Sequence, residues 1–251
     1  MSAPAWGCAG LVVALAVGCA PAAGQPATPP RAAVTVDPVV NRQVVLGYSV
    51  QRRPIVAREL GDPDGVRRVL VVGCIHGNEP AGAAITRALL GMTVPPDVDL
   101  WVVPSLNPDG VLPGTRGNAH GVDLNRNLPF RWRVLGPPGS TYYSGPHALS
   151  EPEARAARGL LLRLRPSLAV WYHQHLDVVD DSEGPVMLLR RYATDTGMRL
   201  ARLVDEPGSA TGYENHLRPQ TAFVVELPAG RLSSAAALRH ARAVLDLASH
   251  S

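Results

Sequence analysis

The segment VVGCIHGNEP, residues 71–80, closes an apolar run with His76, places Glu79 three positions later and follows it at once with Pro80. An imidazole and a carboxylate at that spacing can share a metal ion. Catalytic zinc commonly takes three protein ligands from His, Asp or Glu and keeps a further position for water. A third ligand must come from far along the chain, and VWYHQHLD offers His173 and His175. Side chains two apart on a strand share a face, so alternation does not separate these two. Taken alone, a His-x-x-Glu pair more often marks a helix start than a metal site.

The elements that must carry these residues follow from the apolar pattern. RRVLVVGC and VDLWVVPSLN are apolar runs without alternation, as expected of strands buried on both faces. SLAVWYHQH and TAFVVEL read as two more strands, PVMLL as a shorter one, and QVVLGYSV with RPIVAREL as a hairpin. Pro80 suits a first helical turn, with AGAAITRALLG continuing to a glycine stop. SEPEARAARGLLLRLR is expected to be a helix with Ser150 as N-cap and Glu153 completing a capping box. YATDTGMRLARLV and SSAAALRHARAVLDLASH are also expected to be helical, whereas the Gly-, Pro- and Asn-rich stretch 104–150 shows no regular pattern. Buried strands alternating with helices predict an α/β domain with a mixed, largely parallel central sheet covered on both faces. Ligands bind such sheets beyond the C-terminal strand ends. His76, Asn107, His173 and Glu226 each fall at or just after the end of an apolar strand.

Composition narrows the function classes. The chain has 251 residues, 46% hydrophobic, with a net charge of +3 and arginine as its only basic residue besides histidine. No basic run or aromatic-interleaved patch is present, so a nucleic-acid partner is not expected. Residues 1–19 carry no charge, and a short apolar core leads to LAVGC at Cys19. This predicts a secretion signal over 1–19 with a lipobox ending at Cys19, and membrane attachment through lipid on that residue. Residues 20–42 read as a Pro/Ala-rich tether, and its opening APAAGQPATPPRAA, residues 20–33, could by itself span ~40 Å at roughly 3.1 Å per residue. The catalytic domain is expected over 43–250, exported, as an envelope lipoprotein or a secreted protein. Cys74 is the single cysteine left inside it, so no internal disulfide is expected.

His76 and Glu79 are joined, in a fixed order, by NPDG (107–110), GTRGNAHGVDLNRN (114–127), SEPE (150–153) and FVVELP (223–228). In these motifs the chain resembles zinc metallocarboxypeptidases of the M14 type, and within them the short bacterial murein-peptide amidases, which remove diaminopimelate from cell-wall peptides. The likeness runs from Gly47 to Leu247. It implies one zinc ion held by His76, Glu79 and His173, with His173 preferred to His175 because WYH stands where the family's strand ends in its ligand. It implies Glu226 as general base, Arg116 as the group that stabilises the oxyanion, and Asn125 with Arg126 as the grip on a terminal carboxylate. The chemistry is coherent. Zinc acidifies water and polarises a carbonyl. A carboxylate moves the proton to the leaving amine, and a guanidinium matches a carboxylate's two oxygens.

The resemblance also has departures. Asn78 stands where digestive carboxypeptidases carry arginine. Tyr213 is the candidate for a substrate-contacting tyrosine, and a domain this short must have trimmed specificity loops. Asp177, Asp180 and Asp181 read as a solvated acidic loop, and Cys74, His120, His147, His240 and His250 as structural or exposed. Two other functions stay open at this stage. Zinc acylases of the succinylglutamate desuccinylase and aspartoacylase type share an HGNE start and a DLNR segment. A non-catalytic lipoprotein that binds wall peptides would not need the general base.

Overall fold

The computed structural model describes residues 1–3, 7, 39–204 and 206–251, so the predicted lipobox, most of the predicted export signal and most of the predicted tether lie outside the described residues. Among the described residues no helix is long and apolar enough to cross a membrane. Strand β1 (Val40–Tyr48) starts ahead of residue 43, where the domain is read to begin, and pairs antiparallel with β2 (Pro54–Gly61) as the expected hairpin. Then follow β3 (Arg67–Val72), helix α1 (Gly82–Leu89), β4 (Val98–Val103), the short α2 (Pro108–Val111), α3 (Pro152–Leu164) and β5 (Leu168–Asp180). Helix α4 (Val186–Thr196), β6 (Arg199–Ala201), α5 (Ala210–Leu217), β7 (Ala222–Pro228) and α6 (Ser234–Ala248) complete the order.

The seven strands form one sheet in the order β1-β2-β4-β3-β5-β6, with β7 also paired to β5. β2 joins β4 antiparallel, while β3/β4, β3/β5, β5/β6 and β5/β7 are parallel. The sheet is thus mixed and largely parallel, as expected. Its centre is apolar because β4 is buried along its whole length and β3 from Val69 to Val72. One face packs Val69, Val71, Val170 and Val225 against α1, α4 and α6. The other packs Leu70, Val72, Trp171 and Ala169 against α3 and α5.

Four local expectations fail, each for a physical reason. PVMLL is no strand: Leu189, Tyr192, Ala193 and Thr196 form the buried face of α4, a helical spacing that a five-residue window cannot reveal. YATDTGMRLARLV is consequently split. Its start ends α4, Gly197 terminates that helix in the left-handed region, and Arg199–Ala201 pairs with Val178–Asp180 as β6. Helix α5, unread in the sequence, occupies Ala210–Leu217 with Ser209 as its N-cap, accepting from Gly212 N–H at 3.1 Å. The capping box at α3 does not form. Glu151 holds the N-cap position without a side-chain cap, Pro152 opens the helix, and the Glu153 carboxylate accepts instead from Val50 N–H and Asn118 Nδ2.

Candidate active site

Strand β3 ends at Val72, and the loop behind it delivers His76. The Glu79 N–H donates to the His76 carbonyl at 3.0 Å, a turn that sets the two side chains on one side. Gly77 within it is not in the left-handed region; it is needed for close approach. A Cβ there would lie 2.0 Å from the Gly110 carbonyl carbon at α2. Cys74 is buried, its thiol donates to the His76 carbonyl at 2.9 Å, and burial pushes it up to about 12. It therefore packs and props the loop.

His173 lies on β5 beside the centre of the sheet. Its Nδ1 is 3.0 Å from Glu79 Oε2 and 3.2 Å from His76 Nδ1, and His76 Nδ1 is 3.0 Å from Glu79 Oε1. All three residues are buried and converge as a set able to hold a metal. Ligands at zinc distances of about 2.0–2.1 Å in a tetrahedron stand ~3.3 Å apart, so the spacing fits zinc. His175, the alternative, is exposed at the last regular position before the β5/β7 register breaks, and it lines an outer cleft.

Asp123 is a part of the centre that sequence reasoning missed. Fully buried, it meets His76 Nε2 at 2.9 Å through Oδ1 and accepts from Arg116 Nε at 2.9 Å through Oδ2. Its place directly ahead of Leu124-Asn125-Arg126 was the available signal: metal-bound histidines commonly donate their second nitrogen to a carboxylate. Burial pushes Asp123 and Glu79 up, but the surrounding imidazoles, with Arg116 and Arg126 beside Asp123, hold both well below the usual carboxylate range. For His76 burial pushes down, and Asp123 and Glu79 outweigh it, so its pKa is raised. The centre is thus rich in ionised carboxylate, as a cation requires.

The other predicted residues surround this centre. Glu226 stands opposite His173 in the β5/β7 register and lines the same cleft, of about 140 Å³. Its Oε2 is buried without a hydrogen-bond partner, and burial raises its pKa, with Glu79 adding and His173 opposing. Arg116 spends Nε on Asp123 and donates from Nη1 to Glu79 Oε1 at 3.0 Å, leaving Nη2 for a ligand. Asn107 caps α2 and donates from Nδ2 to the Arg116 carbonyl. Asn118, on the same loop as Arg116, donates to both Glu151 and Glu153, so SEPE clamps the loop of GTRGN. Asn125 and Arg126 lie in a 3-10 turn, Leu124–Arg126, started by Asp123. Asn125 Oδ1 accepts from Ala210 N–H, which turns its amide nitrogen toward the cleft. Arg126 Nε is buried without a hydrogen bond, 3.8 Å from Glu206 Oε2.

Tyr213 is not brought to the site. It is buried on α5 in the core with Trp171 and Ala210. A different tyrosine, Tyr142, lies with its ring over Arg116 and Arg126, two residues that line the cleft. Asp177 and Asp181 are exposed as expected, but Asp180 is half-buried in the cleft wall with Glu183 and Glu206. Of the remaining histidines, His147 and His250 are exposed, His120 pairs with Glu151, and His240 is buried against Tyr192.

Comparison with known proteins agrees with this geometry. The family model for zinc carboxypeptidases matches residues 31–179. Murein peptide amidase A of Escherichia coli K12 is 31% identical over 139 residues, 51% of this chain and 54% of that protein. The namesake from Vibrio campbellii is 30% identical over 162 residues, 60% of this chain and 63% of that protein, so this chain spans a little over half the length of these relatives. The crystal structure of murein-tripeptide amidase from E. coli O157 superposes with a TM-score of 0.67 at 25% identity, over 82% of this chain and 91% of that one. Carboxypeptidase A from Helicoverpa armigera shares the fold at a TM-score of 0.73 and 19% identity, over 84% of this chain and 68% of that one. Of the two zinc families that the HGNE and DLNR segments allow, the match selects one: this chain belongs to the zinc carboxypeptidase family.

Proposed function

We propose that this chain is a zinc-dependent exopeptidase or amidase that hydrolyses the peptide bond next to a residue with a free carboxylate, in cell-wall (murein) peptides. The observation that carries the reading is a single cleft in which His76, Glu79 and His173 meet Glu226, Arg116 and an Arg126 whose buried Nε makes no hydrogen bond, with the Glu206 carboxylate 3.8 Å away. A buried guanidinium nitrogen without a hydrogen bond is costly until an anion arrives. A terminal carboxylate, gripped by Arg126 with Asn125, is the ligand that satisfies it. His76, Glu79 and His173 hold one zinc ion. When bound, zinc supplies Lewis acidity that polarises the scissile carbonyl and acidifies a water.

Glu226 accepts a proton from the attacking water and delivers it to the leaving amine; burial raises its pKa toward that task. Arg116, anchored by Asp123 and Glu79, aims its remaining donor at the developing oxyanion. The far wall adds Asp180, Glu183 and Glu206, which suits a released residue bearing an ammonium group as well as its carboxylate. The murein amidase names of the relatives support the same substrate class. Export through residues 1–19, and attachment through lipid on Cys19, belong to this proposal and would put the enzyme where such peptides are.

Digestion of purified muropeptides, with mass spectrometry of the released residue, tests the reading. Release of terminal diaminopimelate, abolished by chelation and restored by zinc, is expected. Glu226→Gln should keep zinc and lose roughly 10²–10⁴-fold in turnover. Turnover of N-acylated amino acids with none of muropeptides would transfer the chain to the acylase reading. Peptide binding without turnover would make it a binding protein.

A further inference from the structure

Tyr142 belongs to none of the motifs that carry the family likeness, yet its ring faces both arginines of the cleft. The ring centroid is 5.3 Å from Cζ of Arg116 and 5.6 Å from Cζ of Arg126. At such distances the negative face of the ring attracts a guanidinium. Core packing does not explain the placement, because Tyr142 is 55% exposed. The backbone beside it is fixed. The Tyr143 carbonyl accepts from Asp123 N–H at 2.8 Å, and the carbonyl of the buried Ser144 accepts from Asn127 Nδ2 and Trp132 Nε1. The residues after Tyr142 are therefore stapled to the segment that carries Asp123, Asn125 and Arg126. On its other side Thr141 lines the outer cleft, of about 400 Å³, which shares Glu79 and Arg116 with the inner one. Tyr142 thus stands next to the outer cleft, with its ring over the two arginines that line the inner one.

The geometry points to Tyr142 as a positioning residue for the hydrolysis, which orients Arg116 and Arg126 through its ring face and shields them from water. Hydrogen bonds hold a guanidinium by its edge: Arg116 through Nε and Nη1, Arg126 through Nη1 to the Asn125 carbonyl. They leave each plane free to tilt about that edge, and the shared ring removes this freedom. A terminal carboxylate and a developing oxyanion then meet guanidiniums already aligned, which lowers the ordering cost at the moment of reaction. The inference rests on the roles proposed above for the two arginines.

Steady-state kinetics of the zinc-loaded full chain on a murein tripeptide with a free terminal carboxylate, and on its terminal amide, tests it. Wild type should prefer the free acid. Tyr142→Ala should lower kcat/KM on the free acid by roughly five- to thirtyfold, as expected for two cation–π contacts, with zinc content unchanged. Its loss on the amide should be smaller by about threefold or more, because only the Arg116 share remains. Tyr142→Phe keeps the ring face and should stay within about twofold of wild type, whereas Tyr142→Leu, an apolar cover without a quadrupole, should behave like Ala. The inference is overturned by wild-type kinetics in Tyr142→Ala, by equal losses on acid and amide, or by a Leu variant as active as the Phe variant. If Tyr142→Ala fails to fold or to hold zinc, the comparison of Phe with Leu decides alone. A wild type that does not distinguish acid from amide overturns the carboxylate grip of Arg126 and this inference with it, and that result is visible before any substitution is made.

Discussion

Asp123 joins the parts of the site that the sequence keeps apart: one oxygen meets His76 Nε2, the other takes Arg116 Nε, and its Oδ1 also accepts the Asn125 N–H. Such a carboxylate fixes the tautomer and rotation of a metal-bound imidazole. Asp123→Ala is expected to weaken zinc binding by about 10–100-fold. Competition against a chromophoric chelator measures this, and wild-type affinity in the variant would show that His76 is held without it. Much of the site was legible at this scale. His76, Glu79, His173, Arg116, Asn125, Arg126 and Glu226 all line one cleft. What escaped was partnership. Sequence gives residue type and order, and DLNRN does not say which imidazole its acid will face. Tyr213 and Tyr142 failed in opposite senses for a related reason. An aromatic in a segment without apolar period carries no sign of whether it turns to the core or to the cleft, and here the helix took Tyr213 inward.

At the scale of elements, the stretch 104–150 was the least readable, and it supplies Arg116, Asn125 and Arg126 to a cleft otherwise lined mainly from 173–226. Its order comes from side chains gripping backbone and from one another, with only α2 and a 3-10 turn as regular structure. Such contacts leave no periodic trace, whereas strands buried on both faces do. Helix α3 shows the same limit: SEPE has the spacing of a capping box, but Asn118 competes for its carboxylates and wins. Asn118→Ala would remove a buried donor from Glu151 and Glu153 together. It should cost about 1–3 kcal/mol of stability in denaturant titration. It should also lower kcat at full zinc occupancy, because the loop that presents Arg116 loses its clamp. A variant that lost stability while keeping wild-type kcat would show that the clamp does not reach the chemistry.

Across the whole molecule, among the buried titrating groups away from the cleft, His240 and Glu214 pull in opposite directions, and Asp99, raised by burial to about 6, acts in the same sense as Glu214. Burial lowers His240 to about 4, with Arg239 adding to the effect and Asp177 opposing it, while Tyr192 OH lies 2.7 Å from its Nδ1. A depressed pKa means that the unfolded chain binds the proton first. Stability from His240 is therefore present above about 6.5 and lost as pH falls toward 4. Burial raises Glu214 to about 8, against the Trp171 Nε1 hydrogen bond. Here the folded state holds the proton, so stability is present below about 4.5 and lost as pH rises through 8. Chemical denaturation across pH should give a maximum between these limits. Glu214→Gln should flatten the alkaline arm and leave the acid arm in place, and an unchanged alkaline arm would show that Glu214 is not its source. The parallel pairing of β3 with β5 has a further consequence. His76 and His173 are 97 positions apart, and that pairing, closed over α1, β4, α2, α3 and the loops between, sets their nitrogens side by side. Contacts of such long sequence separation form late, after the local turns and helices. Metal uptake by the emerging chain is then a clock for completion: until the central strands have docked, the two imidazoles belong to separate pieces of chain and compete for zinc no better than free peptides.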